Sequence, residues 1–554
     1  MSSADTAPAA AAAAAATAGW TLGFDLGGTF VDLLLRAPDG REHRRKFVRE
    51  AGPAATAALA ALRRLLAETG VPATAVARVL HGSTVVTNLL VERQLPPAAW
   101  LTTRGFADVL ALGRQQRAEL YSAVPEPAQP LALFPDRAVF EIGGRIDAAG
   151  VEVQALDLAD VDAAADALAA SAARSAGIGL LFSHLNPAHE LALAQRLTQR
   201  LPGLLLSLSH RVDAQPREAE RFAATALQAA LRPALADDLG ALAQGMAALG
   251  LPAPSLMASD TRLLALDQAL DAPLRLALSG PAAALRAAAA AGRTLVCMDV
   301  GGTTTDLGLV EAGRPRLAET LRVGGYLLRQ PAADIVSLPL GGGSLVRLLP
   351  GGALRIGPAS AGADPGPAAY GRGGTQATVS DALLLLGRLP PQLAGGLALQ
   401  RERAEAVLLP LAQALGCTLP ALAASIASSA AAVIAEGLKQ QAFERGFDAP
   451  RALLLAAGGG GGQHAAEVAA RVGMQSVWVP AQAGLLAASG LLDGPAAQAV
   501  GPAQAWPGVA AQGHGPAALF GRMQTAWVPA GWQWRLDERG DLWLQLVDTA
   551  VPHG

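Results

Sequence analysis

The sequence predicts an α/β protein built from two similar halves, with an additional α/β domain. An Asp-x-Gly-Gly-Thr-x-x-Asp pattern occurs twice, at residues 25–32 and 299–306, about half a chain length apart. Apolar stretches of strand length alternate with stretches of helix length between the two copies. Glycine-rich loops follow at 341–344, 357–374 and 457–462. A duplicated α/β half with a ligand cleft between the copies accounts for all three observations.

Each copy of the pattern lies between two short apolar runs, which predict a strand, a turn and a second strand. The predicted strands cover 20–24, 31–35, 294–298 and 307–310, with further strands over 79–87, 100–103 and 177–183. Helices are predicted over 55–69, 158–173, 188–199 and 216–248, and the stretch 403–446 is strongly helical. The C-terminal part is rich in Pro, Gly, Ala and Trp, and a small hairpin is predicted over 532–546.

The two repeated loops have the chemistry of phosphate binding. Glycines let the backbone approach a polyphosphate, their N–H groups form an anion-binding nest, and a Thr hydroxyl can donate to a phosphate oxygen. The residues assigned to the phosphates are Gly27, Gly28, Thr29, Gly301, Gly302, Thr303 and Thr304. Carboxylates repel phosphate, so Asp25 and Asp299 are expected to bind Mg²⁺ or its waters. Asp25, Asp299 and Asp306 are the candidate catalytic residues.

The repeated loop differs from the P-loop of nucleotide-binding proteins. It lacks the Lys-Ser/Thr ending, and a strand follows it where a helix would follow a P-loop. Two ordinary hairpin turns are the alternative interpretation, but identical Asp spacing in both copies favours function. The sequence therefore predicts the actin-like ATPase fold (sugar kinase/Hsp70/actin), with duplicated ribonuclease-H-like halves and ATP with Mg²⁺ as cofactors.

A third candidate element is the glycine run that follows the apolar stretch 453–457. A strand that leads through glycines into a helix N-terminus is a nucleotide-binding geometry. Gly458, Gly459, Gly460 and Gly461 are therefore expected to approach the nucleoside. A flexible glycine linker is the alternative, and His464 is interpreted as a residue of the first helical turn.

Polar residues between 81 and 117 are weaker candidates for the substrate side. Thr84, Asn88, Arg104 and Arg114 carry groups that bind a small carbonyl or carboxylate ligand. Ordinary helix caps explain a Ser/Thr/Asn cluster almost as well. Two further acidic residues of the glycine-rich region, Asp364 and Asp381, are interpreted as turn or cap residues in preference to catalytic residues.

Composition excludes several classes of protein. Forty-three Lys and Arg balance 46 Asp and Glu for a net charge of −3, so a nucleic-acid partner is not expected. The short basic run 41–46 is interpreted as a solvated strand edge or loop. Two distant cysteines, Cys297 and Cys417, fit a reducing cytoplasm and give neither a disulfide framework nor a zinc site. Residues 1–18 are interpreted as a disordered Ala-rich extension, and no membrane span is predicted.

Taken together, the motifs resemble the hydantoinase A/5-oxoprolinase family, which includes ATP-binding subunits of acetone-type carboxylases. The resemblance covers about residues 20–495. It rests on Gly23-Phe-Asp-Leu-Gly-Gly-Thr-Phe-Val-Asp32, His81-Gly-Ser-Thr-Val-Val-Thr-Asn88, Thr102-Thr-Arg-Gly-Phe106, Leu181-Phe-Ser-His-Leu-Asn-Pro-Ala-His-Glu190, Ser279-Gly-Pro281, Met298-Asp-Val-Gly-Gly-Thr-Thr-Thr-Asp306, Ser360-Ala-Gly-Ala-Asp-Pro-Gly-Pro367 and Ser380-Asp-Ala382.

The resemblance implies ATP-dependent ring opening of a cyclic amide, such as 5-oxoproline or a hydantoin, through phosphorylation of the amide carbonyl. It also implies an oligomer and a separate B-type subunit as a partner. The implied division is an N-terminal domain over 19–205, an ATPase domain over 206–495 and a short C-terminal segment over 496–554.

Three alternatives remain open at this point. The same fold occurs in the ATP-handling subunit of a carboxylase. Val336 stands where the family has a His, Pro339, Ser259-Asp260 and Leu383 also depart from its pattern, and the C-terminal part is short. All of these positions lie outside the two repeated loops, and Val336 and the short C-terminal part support a second alternative, a catalytically idle nucleotide-binding paralogue. A sugar or acetate kinase is the third alternative.

Overall fold

The structure is a computed structural model, and it describes residues 19–50, 52–115, 121, 134, 138–492 and 501–547. The predicted N-terminal extension lies outside the described residues. The strands are β1 (Trp20–Leu26), β2 (Phe30–Arg36), β3 (Glu42–Val48), β4 (Val76–Gly82), β5 (Ala99–Thr103), β6 (Val139–Ile142), β7 (Arg145–Ile146), β8 (Glu152–Gln154), β9 (Ser175–Gly179), β10 (Leu205–Leu208), β11 (Pro254–Met257), β12 (Leu263–Leu264), β13 (Leu295–Val300), β14 (Thr305–Glu311), β15 (Arg314–Pro315), β16 (Leu317–Val323), β17 (Tyr326–Ala333), β18 (Ile335–Leu338), β19 (Ser344–Leu348), β20 (Leu354–Ser360), β21 (Leu453–Ala457), β22 (Ser476–Val479), β23 (Gln512–His514), β24 (Ala517–Phe520), β25 (Thr525–Val528), β26 (Trp532–Leu536) and β27 (Leu542–Leu546).

Helices cover the faces of these sheets. They are α1 (Ala54–Thr69), α2 (Val85–Glu92), α3 (Val109–Leu112), α4 (Leu158–Ala169), α5 (Ala188–Arg200), α6 (Ser209–Val212), α7 (Glu218–Ala248), α8 (Leu266–Asp271), α9 (Ser279–Ala289), α10 (Val379–Leu385), α11 (Arg401–Ala414), α12 (Leu419–Arg445), α13 (Gly461–Val472), α14 (Leu486–Leu491) and α15 (Pro502–Ala505).

The first half of the molecule is a six-stranded sheet in the order β12-β11-β4-β1-β2-β3. β1 and β2 form an antiparallel hairpin, and β4 lies parallel to β1 on its other side. In this register Asp25 is opposite Asp32 on β2 and beside Gly82 on β4. The first repeated loop is therefore the turn of the β1–β2 hairpin.

The second half repeats this arrangement in a larger sheet, whose main path is β15-β14-β13-β21-β22-β27-β26-β23. β13 and β14 form the hairpin, and β21 lies parallel to β13. Asp299 is opposite Asp306, just as Asp25 is opposite Asp32. Because both hairpins are continued by a parallel strand on the same side, the duplication inferred from the repeated loops is confirmed.

The additional α/β domain is a smaller sheet in the order β10-β9-β5-β6, with all of its strands parallel. A separate apolar core holds this sheet to α4 and α5; Leu101, Ile178, Leu193 and Leu197 are fully buried there. α4 begins at the cap residue Asp157, whose side chain accepts hydrogen bonds from two backbone N–H groups of the first turn. The whole is the predicted actin-like ATPase fold.

The buried side of the long helix α12 is rich in alanine. α12 buries a row of small residues and Ile426 and Ile434, while Thr418 caps its start and Gly446 ends it in the left-handed conformation. By length and composition, α12 is the one helix among the described residues that could cross a membrane, and half of its apolar window is buried within the protein.

Two predicted strands are wrong at their C-terminal ends. The strand predicted over 79–87 ends at Gly82, and residues 85–92 form α2 although β-branched Val85 and Val86 favour a strand locally. The strand predicted over 177–183 ends at Gly179, and Phe182 has φ of 56° in the turn that follows. The predicted C-terminal hairpin is confirmed as β26–β27, and it adds to the sheet of the second half.

Candidate functional site

The two repeated loops face each other across one large cleft of about 1490 Å³. A Cβ atom added to Gly302 would lie 3.6 Å from Thr29 Oγ1, so the loops are within reach of a single ligand. The predicted phosphate residues all line this cleft: Gly27, Gly28, Thr29, Gly301, Gly302, Thr303 and Thr304. The two loops, which are half a chain length apart in the sequence, are therefore neighbours in the folded protein.

The two loops also have the same internal geometry. Gly27 N donates to Phe30 O at 2.9 Å, and Gly301 N donates to Thr304 O at the same distance. These bonds close each turn. Within its own turn, neither Gly28 nor Gly302 makes a backbone hydrogen bond. Matching turns at the ends of matching hairpins form two anion-binding surfaces that face one space.

Four carboxyl groups lie half-buried in the floor of the cleft, namely those of Asp25, Asp32, Asp299 and Asp306. Burial, with repulsion from Asp32 and Asp299, raises the pKa of Asp25 to about 8. Burial and the charge of Asp306 raise the pKa of Asp299 to about 7, and burial raises that of Asp306 to about 6. Carboxyl groups with perturbed pKa values, whose charges repel one another across the two halves, mark a functional site.

Lys46 is a cleft residue that the sequence analysis missed. Its Nζ contacts Asp32 Oδ1 at 2.6 Å and Oδ2 at 2.9 Å, and donates to Gly484 O at 2.9 Å. Its charge opposes the rise in the pKa of Asp25, Asp32 and Asp299. The interpretation of 41–46 as a solvated strand edge is therefore wrong at this residue. Alternation along β3, which places Lys46 opposite Asp32, is the signal that could have found it.

Two glycines make room for the first Asp of each repeated loop. A Cβ atom at Gly82 would lie 2.3 Å from Asp25 Oδ1, and one at Gly458 would lie 2.3 Å from Asp299 Oδ1. Gly458 also has φ of 74°, a conformation that other residues rarely adopt. β4 thus ends in a glycine beside Asp25, and β21 is followed directly by a glycine beside Asp299.

The carboxyl groups fit the magnesium ion that the sequence predicts. Asp25 Oδ1 and Asp306 Oδ1 are buried without a hydrogen-bond partner, which leaves acceptors for a cation or its waters. In the described part of the chain, no cluster of three or more His, Cys, Asp or Glu residues is placed to hold a metal alone. Mg²⁺ takes one or two carboxylates and completes its shell with water and phosphate oxygens.

The glycine-rich run forms a loop between β21 and α13, as predicted. Gly458, Gly459 and Gly460 line the cleft, while Gly461 starts α13 and is not part of the lining. His464 lines the cleft in the first turn of α13, and burial lowers its pKa to about 4. The imidazole is therefore neutral at physiological pH.

On the predicted substrate side, the structure separates the four candidates into two pairs. Thr84 and Asn88 line the cleft, at the start and on the first turns of α2. Arg104 forms an ion pair with Asp160, Arg114 pairs with Glu220, and neither arginine lines the cleft. The prediction that places all four on one substrate surface is therefore corrected, because the arginines follow strand β5 in the smaller domain and are held there by local carboxylates.

Asp381 has the structural role predicted for it. Its carboxylate accepts hydrogen bonds from Ala369 N, Thr378 N and Thr378 Oγ1, and so caps α10. Asp364 is not among the residues that line the cleft, whereas Val336 is. The departure from the family pattern at Val336 thus falls on the ligand side of the second half.

Comparison with known proteins gives two family matches. The N-terminal region of hydantoinase/oxoprolinase matches residues 21–201, and the hydantoinase/oxoprolinase family matches residues 221–497. Caprolactamase subunit alpha of Pseudomonas jessenii is 30% identical over 486 residues, which are 85% of this chain and 70% of that protein. The 5-oxoprolinase of Saccharomyces cerevisiae is 28% identical over 413 residues, 67% of this chain and 32% of that protein.

A carboxylase subunit is similar at the same level. The acetophenone carboxylase gamma subunit of Aromatoleum aromaticum is 30% identical over 455 residues, 77% of this chain and 62% of that protein. Among solved structures, nucleotide-free acetone carboxylase superposes with a TM-score of 0.81 at 19% identity and covers 96% of this chain and 100% of its own.

The ATP-dependent caprolactamase of Pseudomonas jessenii superposes with a TM-score of 0.77 at 22% identity, over 95% of this chain and 100% of its own. These two structures share the fold over nearly all of the chain. The family follows from the two family matches, over residues 21–201 and 221–497: the chain belongs to the hydantoinase/oxoprolinase family.

Proposed function

We propose that this chain uses Mg-ATP to open a cyclic amide, by phosphorylating the amide carbonyl and directing water to the ring carbon. The observation that carries the proposal is that both phosphate loops, with four carboxyl groups beneath them, face one cleft. The choice of a cyclic amide is supported by relatives named as a caprolactamase and a 5-oxoprolinase.

Within this proposal the loops bind the triphosphate. Backbone N–H groups of Gly27, Gly28, Gly301 and Gly302 would contact phosphate oxygens, and the facing Thr hydroxyls would donate to them. Asp25 and Asp299 would hold Mg²⁺, which when bound neutralises charge on the phosphates. Most of the catalysis of phosphoryl transfer is positioning and charge stabilisation, and opposed loops supply both.

These residues would support the following reaction. The amide oxygen attacks the γ-phosphorus and ADP leaves. Water then adds to the activated ring carbon and loses a proton to a carboxylate. The C–N bond of this adduct opens as the nitrogen takes up a proton, which leaves an acyl phosphate. A second water then cleaves the acyl phosphate to a carboxylate and inorganic phosphate. We assign the proton transfer from water to Asp306, because its carboxyl lies in the floor of the cleft and its Oδ1 has no hydrogen-bond partner.

The acceptor would lie beside α2, whose cleft-facing residues include Thr84 and Asn88. A hydroxyl and an amide at the start of a helix can bind a planar amide without adding a charge. Partner subunits fit the same proposal, since two relatives are named as subunits of larger enzymes.

The test is ADP release by the purified chain with Mg-ATP, alone and with a B-type subunit. The substrates offered are 5-oxoproline, hydantoin, caprolactam, and bicarbonate together with a ketone. Stimulation by a cyclic amide, lost in Asp299→Ala, is the expected result. Stimulation by bicarbonate and ketone alone would identify a carboxylase subunit, as similarity to acetophenone carboxylase suggests. ATP binding without turnover under every condition would identify a catalytically idle paralogue.

A further inference from the structure

Strands β16 and β17 form a two-stranded arm, residues 317–333, that is not part of the three larger sheets. The arm follows β15 and leads into β18, so both of its ends belong to the second half. Its inner face carries Leu321, Val323 and Leu328, which are buried in the same apolar cluster as residues of β1 and α7. The arm therefore extends from the second half onto the first.

The tip of the arm rests on α2 of the first half. A Cβ atom added to Gly324 would lie 2.2 Å from Leu90 O and 3.0 Å from Val91 N, so the two backbones are in contact. Residues 320–325 of the arm line the cleft together with Asn88 of α2. The arm and α2 are thus adjoining walls of the cleft. We call this part the acceptor end, because the proposed function places the amide beside α2.

The base of the arm is held by a buried ion pair. Arg329 Nε donates to Asp213 Oδ2 at 2.7 Å, and Arg329 Nη2 donates to Pro216 O at 3.0 Å. The side chains of Arg329 and Asp213 are 15% and 2% exposed. In the register of the arm, Arg329 lies opposite Thr320, the first of the cleft-lining residues of the arm. The ion pair is therefore one cross-strand step from the cleft wall.

The arm contacts both connections between the first half and the smaller domain. Residues 93–98 join α2 to β5 of the smaller sheet, and residues 213–217 join α6 to α7. The tip of the arm contacts α2 just before the first connection, and Arg329 contacts the second. Arg221 of α7 also donates to Gln215 O in the second connection, at 3.2 Å. The position of the arm is therefore tied to both points at which the chain enters and leaves the smaller domain.

We propose that Arg329 and Asp213 are positioning residues for the acceptor end of the cleft: their ion pair fixes the arm, and the arm holds α2 beside the acceptor. The part that concerns the acceptor rests on the proposed function. Loss of one partner of a buried pair leaves the other charge unpaired, so the pair strongly favours one placement of the arm. A misplacement of about 1 Å far from the chemistry can cost about 100-fold in rate. ATP binding should change little, because each phosphate loop is closed by its own backbone bond.

The first test separates the acceptor from the nucleotide. ADP release by the full chain with Mg-ATP, alone and with a B-type subunit, is measured against the concentrations of 5-oxoproline, hydantoin and caprolactam. Arg329→Met should raise the KM of the stimulating amide at least about tenfold. The dissociation constant of ATP, from isothermal titration, should stay within about twofold of wild type. Arg329→Lys keeps the charge but offers fewer donors, so its KM should lie between those of the Met variant and wild type.

Arg232→Met is the matched control. The Arg232 side chain is also 15% exposed, and it forms its ion pair with Asp271 of α8 and not with the arm. Both constants should therefore stay within about twofold of wild type in this variant. An ATP affinity that falls as much as the amide affinity in Arg329→Met, or a KM that does not change, would overturn the inference and leave the proposed function standing.

Hydrogen exchange tests the same contacts without an acceptor. Arg329→Met should speed the exchange of backbone amides in α2 and in residues 213–217, and leave exchange in the β13–β14 hairpin as in wild type. If that variant does not fold, Asp213→Asn, which removes the charge and keeps an acceptor, takes its place in both tests. Unchanged exchange in α2, or faster exchange throughout the chain, would overturn the inference. A wild-type chain that responds to no cyclic amide would overturn the proposed function, and exchange in α2 would then decide whether the pair positions this wall.

Discussion

The role of Lys46 can be tested by replacing it with Met, which keeps the length of the side chain and removes its charge. The ammonium group makes two contacts with Asp32 and one with Gly484 O, and its side chain and that of Asp32 are 9% and 15% exposed. Removing one partner of a buried ion pair costs about 3–5 kcal/mol. We expect about 3 kcal/mol for Lys46→Met, because Asp32 can take up a proton and escape part of the penalty.

Urea unfolding, followed by tryptophan fluorescence, measures this loss from the first transition of the chain. The double variant Asp32→Asn with Lys46→Met should recover about 2 kcal/mol, because it leaves no unpaired charge. ADP release should stay at least about 100-fold below wild type in both variants, since either change alters the charge balance at the phosphates.

A matched control is Lys439→Met, because Lys439 forms an exposed pair with Glu436, and it should change stability by less than about 1 kcal/mol. The reasoning would be refuted if Lys46→Met were as stable as wild type, or if the double variant were no more stable than the single one.

Three further outcomes follow from the geometry of the cleft. Gly458→Ala should destabilise the chain by about 2 kcal/mol or more in the same urea assay, because residue 458 has a positive φ and the new Cβ would clash with a carboxylate. Gly459→Ala should change stability by less than about 0.5 kcal/mol, because the space around Gly459 is open. Asp25→Asn should raise the melting temperature of the ligand-free protein at pH 8, and the gain should shrink toward pH 4. Arg104→Ala and Arg114→Ala should each keep ADP release within about twofold of wild type, because both side chains lie outside the cleft.

The sign of the pH effect comes from the folded-state pKa of Asp25. That pKa is about 8, above the ordinary 3.8, so between these values the folded chain keeps a proton that the unfolded chain releases. The contribution of Asp25 to wild-type stability therefore falls as the pH rises through this window, and an Asn removes that contribution. A melting temperature that rises more steeply with pH in wild type than in Asp25→Asn would contradict the assigned shift. A tenfold loss of activity in either Arg variant would show that this arginine contributes to the substrate side of the site, as the sequence predicted.

The parts of the candidate site that are local in the chain could be predicted from the sequence. Both repeated loops and the glycine-rich loop were predictable as cleft elements, because each is a short run with characteristic residue types and flanking strands. The duplication also predicted that the first two loops share a cleft, although their meeting depends on long-range packing.

The remaining features depend on register and on tertiary contacts. Lys46 lies in the cleft because β3 pairs with β2 in a register that sets Lys46 opposite Asp32. The neighbouring basic residues made Lys46 look like one more solvated charge in the sequence. Arg104 looked like a ligand residue, but Asp157 and Asp160 of α4 hold it in the smaller domain. The hairpin turn at 520–525 showed no motif, since its place in the cleft wall comes from packing against the glycine-rich loop.

The stoichiometry of nucleotide binding tests the central claim most directly, because two phosphate loops in one chain could mean two sites or one shared site. Isothermal titration of the wild-type chain with ATP and Mg²⁺ would be compared with Asp25→Ala and Asp299→Ala, one variant in each half. We predict one ATP per chain in wild type, and loss of that single site in both variants. Two ATP molecules per chain, or a variant that loses one site and keeps another, would contradict a shared cleft.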